Sequence, residues 1–315
     1  MRIEVLRKGL FSLIIDKGRV GRQRDGFCQS GPMDNNAYDW ANFLALNLDG
    51  TPCIEAIGEM QIRVDQDCII AVTGREPSLD VDGVARATYQ SQKVAAGATI
   101  TFKSALLGSK AYLAVYGNWQ VPKAVGSACT VVREQLGGLD GKGRVLKDGD
   151  CIEVLANTRM KDNAKMRTLA QQFIDDYGFL ESIRVVPGYQ FSSFSNVAIR
   201  TFETSIYTVS SSIDRMGFRF TGESVASDMV GMRSEAIHLG AIQVPGDGQP
   251  IVMMRDRQTL GGYPKLGCVS PCDISRLAQA VPGEKVNFVF QNEEEARADW
   301  LLTTSRRRRL QGEIV

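Results

Sequence analysis

Apolar residues along this chain come in short runs or in strict alternation, and Gly, Asp or Asn closes most of them. Leu10–Ile15, Met60–Val64, Cys68–Thr73, Thr99–Phe102 and Ala111–Tyr116 read in this way as β-strands. The same texture returns at Arg184–Val186, Ile206–Val209, Ala241–Val244, Ile251–Met254 and Val286–Phe290. Many short strands joined by Gly-rich turns predict a sandwich or barrel rather than alternating βα units. The 31 glycines among 315 residues, against a usual share of about 7%, fit so many turns.

Helical patterns are few. Asp34 is placed to cap a stretch whose Ala37, Trp40, Ala41 and Leu44 share one face. Asp273 reads as the cap of a short helix ending at Ala280, before Pro282-Gly283. A last helix starts near Asn292 with Glu293, Glu294 and Glu295 in its first turn, and Arg306–Arg309 at its far end would complement the macrodipole. From Thr158 to Tyr177 the strand texture gives way to a polar segment with Met166, Leu169 and Phe173 at helical spacing. The chain therefore reads as a domain over residues 1–160, a connection over 161–177 and a second domain over 178–315. Gly149-Asp150 feeding the alternating Cys151–Val154, and Gly283-Glu284 feeding Lys285–Phe288, echo each other near the ends of the two halves.

Composition adds exclusions. At 43% hydrophobic and 23% charged, with a net charge of +1, this is a folding chain without the basic footprint of a nucleic-acid or membrane-surface binder. No apolar core of a leader follows Met1-Arg2-Ile3-Glu4, and no run of about 18 apolar residues occurs. Seven cysteines, an odd number with no Cys-x-x-Cys pair, read as reduced thiols in a cytoplasmic protein with no metal site.

Candidate chemistry narrows by elimination. The single histidine, His238, sits among apolar neighbours and reads as structural, which disfavours His-based triads. Gly137–Gly143 is glycine-rich but lacks the phosphate-loop pattern, and reads as a mobile turn. Ala164-Lys165-Met166 lacks the flanks of a biotin-attachment site, so no biotin is expected on this chain. What remains is a set of polar, Gly-dense loops: Asp16–Arg19, Ser30–Asp34, Asp214–Gly217, Gly240–Pro250 and Arg255–Lys265. Gly261-Gly262 in the last of these lets backbone approach a ligand closely.

Those loops, in that order and spacing, carry a resemblance. Ser30-Gly31-Pro32-Met33-Asp34, Asp214-Arg215-Met216-Gly217, Gly240–Pro245, Asp256-Arg257-Gln258 and Gly261-Gly262-Tyr263-Pro264-Lys265 are similar to motifs of the biotin-dependent carboxyltransferase family. That family includes the C component of 5-oxoprolinase, allophanate hydrolase subunit 2 and the Kip antagonist protein. The resemblance implies a mainly β fold of two cyclophilin-like β-barrel domains with a few short helices. It implies the C component of a complex that spends ATP to open the lactam of 5-oxoproline to glutamate. The partners would be a B-type, Kip-inhibitor-like component and an A-type component, with the place of ATP in the complex open. Two other functions stay open: carboxyl transfer in a biotin-dependent urea-type carboxylase, and non-catalytic antagonism of a Kip-inhibitor-like partner. Amide chemistry needs donors where oxyanion charge develops and a cation to clamp a carboxylate or phosphate. On that ground Asp256, Arg257, Gln258 and Lys265 are the candidate catalytic residues. Asp16, Arg19, Ser30, Asp34, Arg215, Gln243, Gly261, Gly262 and Tyr263 are the candidate substrate-binding residues, the 16–34 loops helping to close the site.

Overall fold

The computed structural model describes residues 1–155, 165–177, 182–225, 227, 229 and 232–314. By contact density the chain forms two compact units, one of Met1–Val20, Ser30–Ile174 and Leu310–Val315, the other of Gly21–Gln29 and Asp175–Arg309. The sequence-based boundary at 160 and the start of the expected connection lie outside the described residues. Met166, Leu169 and Phe173, though at helical spacing, do not lie in an α-helix. The Arg167 carbonyl accepts from Ser91 N–H at 2.8 Å and Leu169 N–H donates to the Tyr89 carbonyl at 3.0 Å. Those ladder-like bonds keep the segment extended, and only a 3-10 turn, Gln171–Phe173, follows.

In the first unit the strands divide between two antiparallel sheets. One runs in the order Asn118–Trp119, Cys151–Leu155, Arg2–Arg7, Met60–Val64, Thr99–Ser104, Pro77–Val81 and Val84–Arg86. The other runs Phe11–Ile15, Cys53–Ile57, Lys110–Val115, Cys68–Gly74 and Gln92–Val94. Ile3, Ile62, Ile100 and Phe102 of the first sheet meet Ile14, Ile54, Val72 and Leu113 of the second in one core. The second sheet's opposite face, with Leu13, Cys53, Ala71 and Tyr112, packs on Ala37, Trp40, Ala41 and Leu44 of the helix Asn35–Leu44. A sheet covered on both faces must be apolar at successive positions, which is why Lys110–Val115 is buried throughout. Asp34 caps the helix as the sequence predicts, its Oδ1 accepting from Ala37 N–H at 3.0 Å.

The second unit holds a closed barrel in the order Ile183–Pro187, Lys265–Val269, Ala241–Gln243, Ile251–Met253, Gly217–Thr221, Ile206–Ile213 and Lys285–Phe290, the last strand returning to the first in parallel. Phe218, Phe220, Tyr207 and Phe288 are buried. Phe202 of the helix Asn196–Thr204 stacks on Phe288 with centroids 4.9 Å apart. Two barrels were expected; among the described residues the ladders close in this unit alone.

Two helix ends differ from expectation. Ser270, not Asp273, precedes the helix Pro271–Ala278. Asp273 is fully buried in its first turn, and its carboxylate accepts from Arg184 N, Nε and Nη2 at 2.8–2.9 Å. The demand of the Arg184 guanidinium outranks capping, and hydrogen bonding to Asp273 raises the Arg184 pKa. The last helix, Glu293–Ile314, is 22 residues long rather than short and continues past Arg306–Arg309, so that those cations are not its final turn. Its start is a reciprocal box: Asn292 Oδ1 accepts from Glu295 N–H at 2.8 Å, and Asn292 N–H donates to Glu295 Oε2 at 3.3 Å. No helix among the described residues is long and apolar enough to cross a membrane.

Candidate functional site

Strand register builds a cleft on the outer face of the barrel. Arg219 lies opposite Ile251, Ile251 opposite Gln243, and Gln243 opposite Lys265. Residues directly opposite in an antiparallel ladder project to the same face. Since Phe218 and Phe220, the neighbours of Arg219, are buried at 1% and 0% exposure while Arg219 is exposed, this row points away from the barrel interior. Gly217, paired with Met253, lies one step along. The resulting cleft of about 360 Å³ is floored by Ile251, Met253 and Gly217 and rimmed by Ser211, Ser212, Asp214 and Tyr263. Arg219, Gln243 and Gln258 supply most of its remaining polarity. All of this lining belongs to the second unit.

Two motifs far apart in sequence lock into one support. Asp214 Oδ1 accepts from the N–H groups of Met216 and Gly217 at 2.7 and 3.0 Å, which forms the tight turn. Met254 N–H donates to the Met216 carbonyl at 2.8 Å and Asp256 N–H to the Arg215 carbonyl at 2.7 Å. Across the same junction Arg215 grips Asp256 with both forks, Nε to Oδ2 at 2.8 Å and Nη2 to Oδ1 at 3.0 Å. Asp256 and Arg215 are thus engaged with one another, at 6% and 9% exposure. Arg257 turns inward, donating to the carbonyls of Ile237 at 3.0 Å and Met254 at 3.2 Å. Burial, with Arg255 nearby, pushes its pKa down to about 10. These three charged residues serve main chain and each other, and the turn that they hold presents Gln258 to the cleft.

The glutamines behave differently. Gln243 is 1% exposed, yet its Nε2 has no hydrogen-bond partner among the described residues; neither does the buried Oε1 of Gln258. A buried amide group left unmatched costs about 1–3 kcal/mol, and both of these groups belong to residues lining the same cleft. Gly261 is packed onto Gln243: a Cβ there would stand 2.9 Å from Gln243 Nε2 and 2.5 Å from Ile237 Cδ1. Gly262 follows at the end of the short ladder joining Leu260–Gly261 to Glu235–Ala236, and Tyr263 is half exposed on the rim. Lys265 is 7% exposed beside Gln243 in the register but outside the cleft lining; its Nζ pairs with Glu235 Oε2 at 3.2 Å. Gln190 braces that pair, accepting from Lys265 N–H at 2.7 Å and donating to Glu235 Oε2 at 3.2 Å. His238 is exposed and does not line the cleft.

The four candidates in the first unit, Asp16, Arg19, Ser30 and Asp34, are all buried. Asp16 accepts from Ala128 N–H at 2.7 Å, Ser127 Oγ at 2.5 Å and Gly18 N–H at 2.9 Å. Burial and the nearby Asp16 push the Cys129 thiol up to about 12. Arg19, 1% exposed, donates to the carbonyls of Ala124 and Cys129 at 3.1 and 2.9 Å. Ser30 is buried at φ 55°, and Gly31 at φ 107° brings the loop against the Lys17 carbonyl. Glu55, which the sequence did not single out, anchors that loop: its Oε2 accepts from Met33 N–H at 2.9 Å and from Tyr112 Oη at 2.8 Å. Tyr112 Oη in turn accepts from Asp34 N–H at 2.8 Å. Gly137, read as part of a mobile turn, is packed so closely that a Cβ would lie 2.0 Å from the Cys129 carbonyl oxygen.

A family model described as the carboxyltransferase domain, subdomains A and B, matches residues 25–290. The C subunit of 5-oxoprolinase from Escherichia coli is 32% identical over 297 residues, 93% of each chain. The protein of that name from Haemophilus influenzae is 31% identical over 296 residues, again 93% of each. Among solved structures, the urea amidolyase of Kluyveromyces lactis matches with a TM-score of 0.86 at 25% identity, over 94% of this chain and 19% of that one. This chain therefore spans about a fifth of that larger protein.

Proposed function

The chain belongs to the carboxyltransferase-domain family, subdomains A and B, and from that premise we propose that it is the C component of an ATP-dependent 5-oxoprolinase. In that complex it binds and polarises the lactam of 5-oxoproline, which is opened to glutamate. Near-full-length similarity to two proteins named as the C subunit of 5-oxoprolinase supports the assignment. The observation that carries it is the unmatched pair of amide groups in the cleft, a donor on Gln243 and an acceptor on Gln258. A five-membered lactam is a cis amide, with C=O and N–H on the same edge. Gln243 Nε2 then donates to the lactam oxygen and Gln258 Oε1 accepts from the ring N–H, while Ile251 and Met253 receive the ring methylenes. Donation to the carbonyl oxygen favours nucleophilic attack, because charge grows on that oxygen as the carbon becomes tetrahedral.

In this reading Gln243, Gln258 and Tyr263 touch substrate. Asp256, Arg257 and Arg215 position Gln258, Gly261 positions Gln243, and Lys265 braces the floor through Glu235. A triphosphate does not suit the cleft: its lining offers one cation, Arg219, beside one carboxylate, Asp214. ATP is accordingly placed outside this cleft, and no step is routed through it here.

The test is reconstitution with those partners, measuring ATP hydrolysis with and without 5-oxoproline and omitting each component in turn. Strict dependence on this chain and on 5-oxoproline is expected, as is at least a tenfold fall in kcat/KM for Gln243→Ala. Activity that persists without this chain, or that no lactam stimulates, would overturn the reading. The match to urea amidolyase favours one alternative, biotin-linked carboxyl transfer to urea, whose signature would be avidin-sensitive activity.

A further inference from the structure

We infer that the cleft reads a carboxylate as well as an amide, through Arg219, so that its ligand class is a small cyclic amide acid and not a neutral amide. This rests on the reading above in using the same cleft. Arg219 is the single cation in the lining, and no described residue pairs with it. The one carboxylate on the same wall, Asp214, is engaged through Oδ1 with the N–H groups of Met216 and Gly217. Arg219 takes the outward position between buried Phe218 and Phe220, and that position faces the concave site.

Register supplies the spacing. Arg219, Ile251 and Gln243 occupy consecutive strands in one row. With strands about 4.8 Å apart, the outer two backbones stand roughly 10 Å apart with Ile251 between them. Both side chains are long enough to converge over that apolar centre and leave room for one small ring. In 5-oxoproline the carboxylate is carried by the carbon next to the ring nitrogen, away from the carbonyl. With the amide edge toward Gln243 and Gln258 and the ring on Ile251, the carboxylate falls to the Arg219 side. A guanidinium grips a carboxylate with two parallel hydrogen bonds, whereas urea offers it nothing equivalent.

Equilibrium binding by the full-length chain tests this, with 5-oxoproline and 2-pyrrolidinone, the same lactam without its carboxylate, as the two probes. A charge-assisted contact predicts a preference for the acid of about tenfold to a hundredfold in the wild type. Arg219→Gln should bind the two alike, and Arg219→Lys should regain part of the preference. A preference that survives in Arg219→Gln, or a wild type that shows none or binds neither probe, would overturn the inference. Turnover in the reconstituted complex separates this from the parent reading. If Arg219→Gln erases the preference but no lactam stimulates ATP hydrolysis, the acid-reading cleft stands and the oxoprolinase assignment falls. If 5-oxoproline is consumed with the same KM by wild type and Arg219→Gln, the assignment stands and the role of Arg219 falls. The expected result in the complex is a tenfold or greater rise in KM with kcat little changed, as for an interaction equally strong in ground and transition states.

Discussion

Replacing Asp256 with Asn asks whether the two turns that carry the cleft are held together by charge. The carboxylate and the Arg215 guanidinium share two hydrogen bonds of 2.8 and 3.0 Å with both residues at or below 9% exposure. The substitution keeps the shape but withdraws from Arg215 the carboxylate charge that it meets across two hydrogen bonds, and breaking a buried pair from one side costs about 3–5 kcal/mol. Asn retains one acceptor, which puts the expectation near the low end, roughly 3 kcal/mol, or about a hundredfold in the local opening equilibrium. Hydrogen exchange of peptides covering 206–221 and 251–258 reads that opening directly. The amides of Met254 and Asp256, which donate to the Met216 and Arg215 carbonyls, should exchange about a hundred times faster. The paired variant Arg215→Met with Asp256→Leu removes both charges and should return exchange most of the way to wild type, since apolar replacement of a buried ion pair is often near neutral. Turnover should follow the same order, because Gln258 rides on this turn. Loss of turnover in Asp256→Asn with exchange unchanged would refute the argument and make Asp256 a group that acts on the substrate.

Three further outcomes follow from the same geometry. Gly261→Ala places a methyl 2.5 Å from Ile237 Cδ1 and 2.9 Å from Gln243 Nε2; overpacking of this kind costs about 1–3 kcal/mol and should lower both Tm and kcat/KM, so wild-type values of both would count against the assigned role of Gln243. Asp273→Ala leaves the partly exposed Arg184 and Arg276 guanidiniums without their shared buried carboxylate, Arg184 keeping Asp299, and should cost about 1.5–3 kcal/mol in urea unfolding, with a loss under about 0.5 kcal/mol as the contrary result. Burial holds the Cys129 thiol at about 12 and the Cys268 thiol at about 11, against an ordinary value of 9.0. Above pH 9 the unfolded chain releases protons that the folded chain keeps, so each thiol removes about 1.4 kcal/mol of stability per pH unit. That loss is absent below pH 9 and ends for each thiol at its folded value; urea midpoints that stay level from pH 8 to 10.5 would contradict it.

Much of the fold is legible in the sequence because burial pattern and strand period coincide. Phe218-Arg219-Phe220 alternates since one face of its sheet fills the barrel, and Lys110–Val115 does not alternate since both faces of its sheet are covered. The Asp34 cap is equally local, one side chain answering one N–H three residues on. What could not be read is decided by partners distant in sequence. Asp273 looks like a cap until Arg184 arrives from 89 residues away. Glu55 looks like one acidic residue in a strand, and its function as the anchor of Met33 and Tyr112 depends on positions 22 and 57 residues off. Met166, Leu169 and Phe173 have helical spacing, but hydrogen bonds to Tyr89 and Ser91 outbid it.

The candidate site separates along the same line. The sequence reading sets Asp256, Arg257, Gln258 and Lys265 together as candidate catalytic residues; the three charged ones have their hydrogen bonds directed at protein groups. Buried charges are tolerable only when so paired, which makes a strongly polar motif in a β-rich core more informative about how a loop is held than about what it binds. Within the lining of the cleft, the groups whose burial is left unmatched or whose charge is left unanswered among the described residues are Gln243 Nε2, Gln258 Oε1 and Arg219. A donor, an acceptor and a cation around an apolar floor are together what the proposed lactam acid would require, and none of the three alone would have suggested it. The motif Asp256-Arg257-Gln258 then has a division of labour within three residues: the first two fasten the turn, and the third faces the cleft.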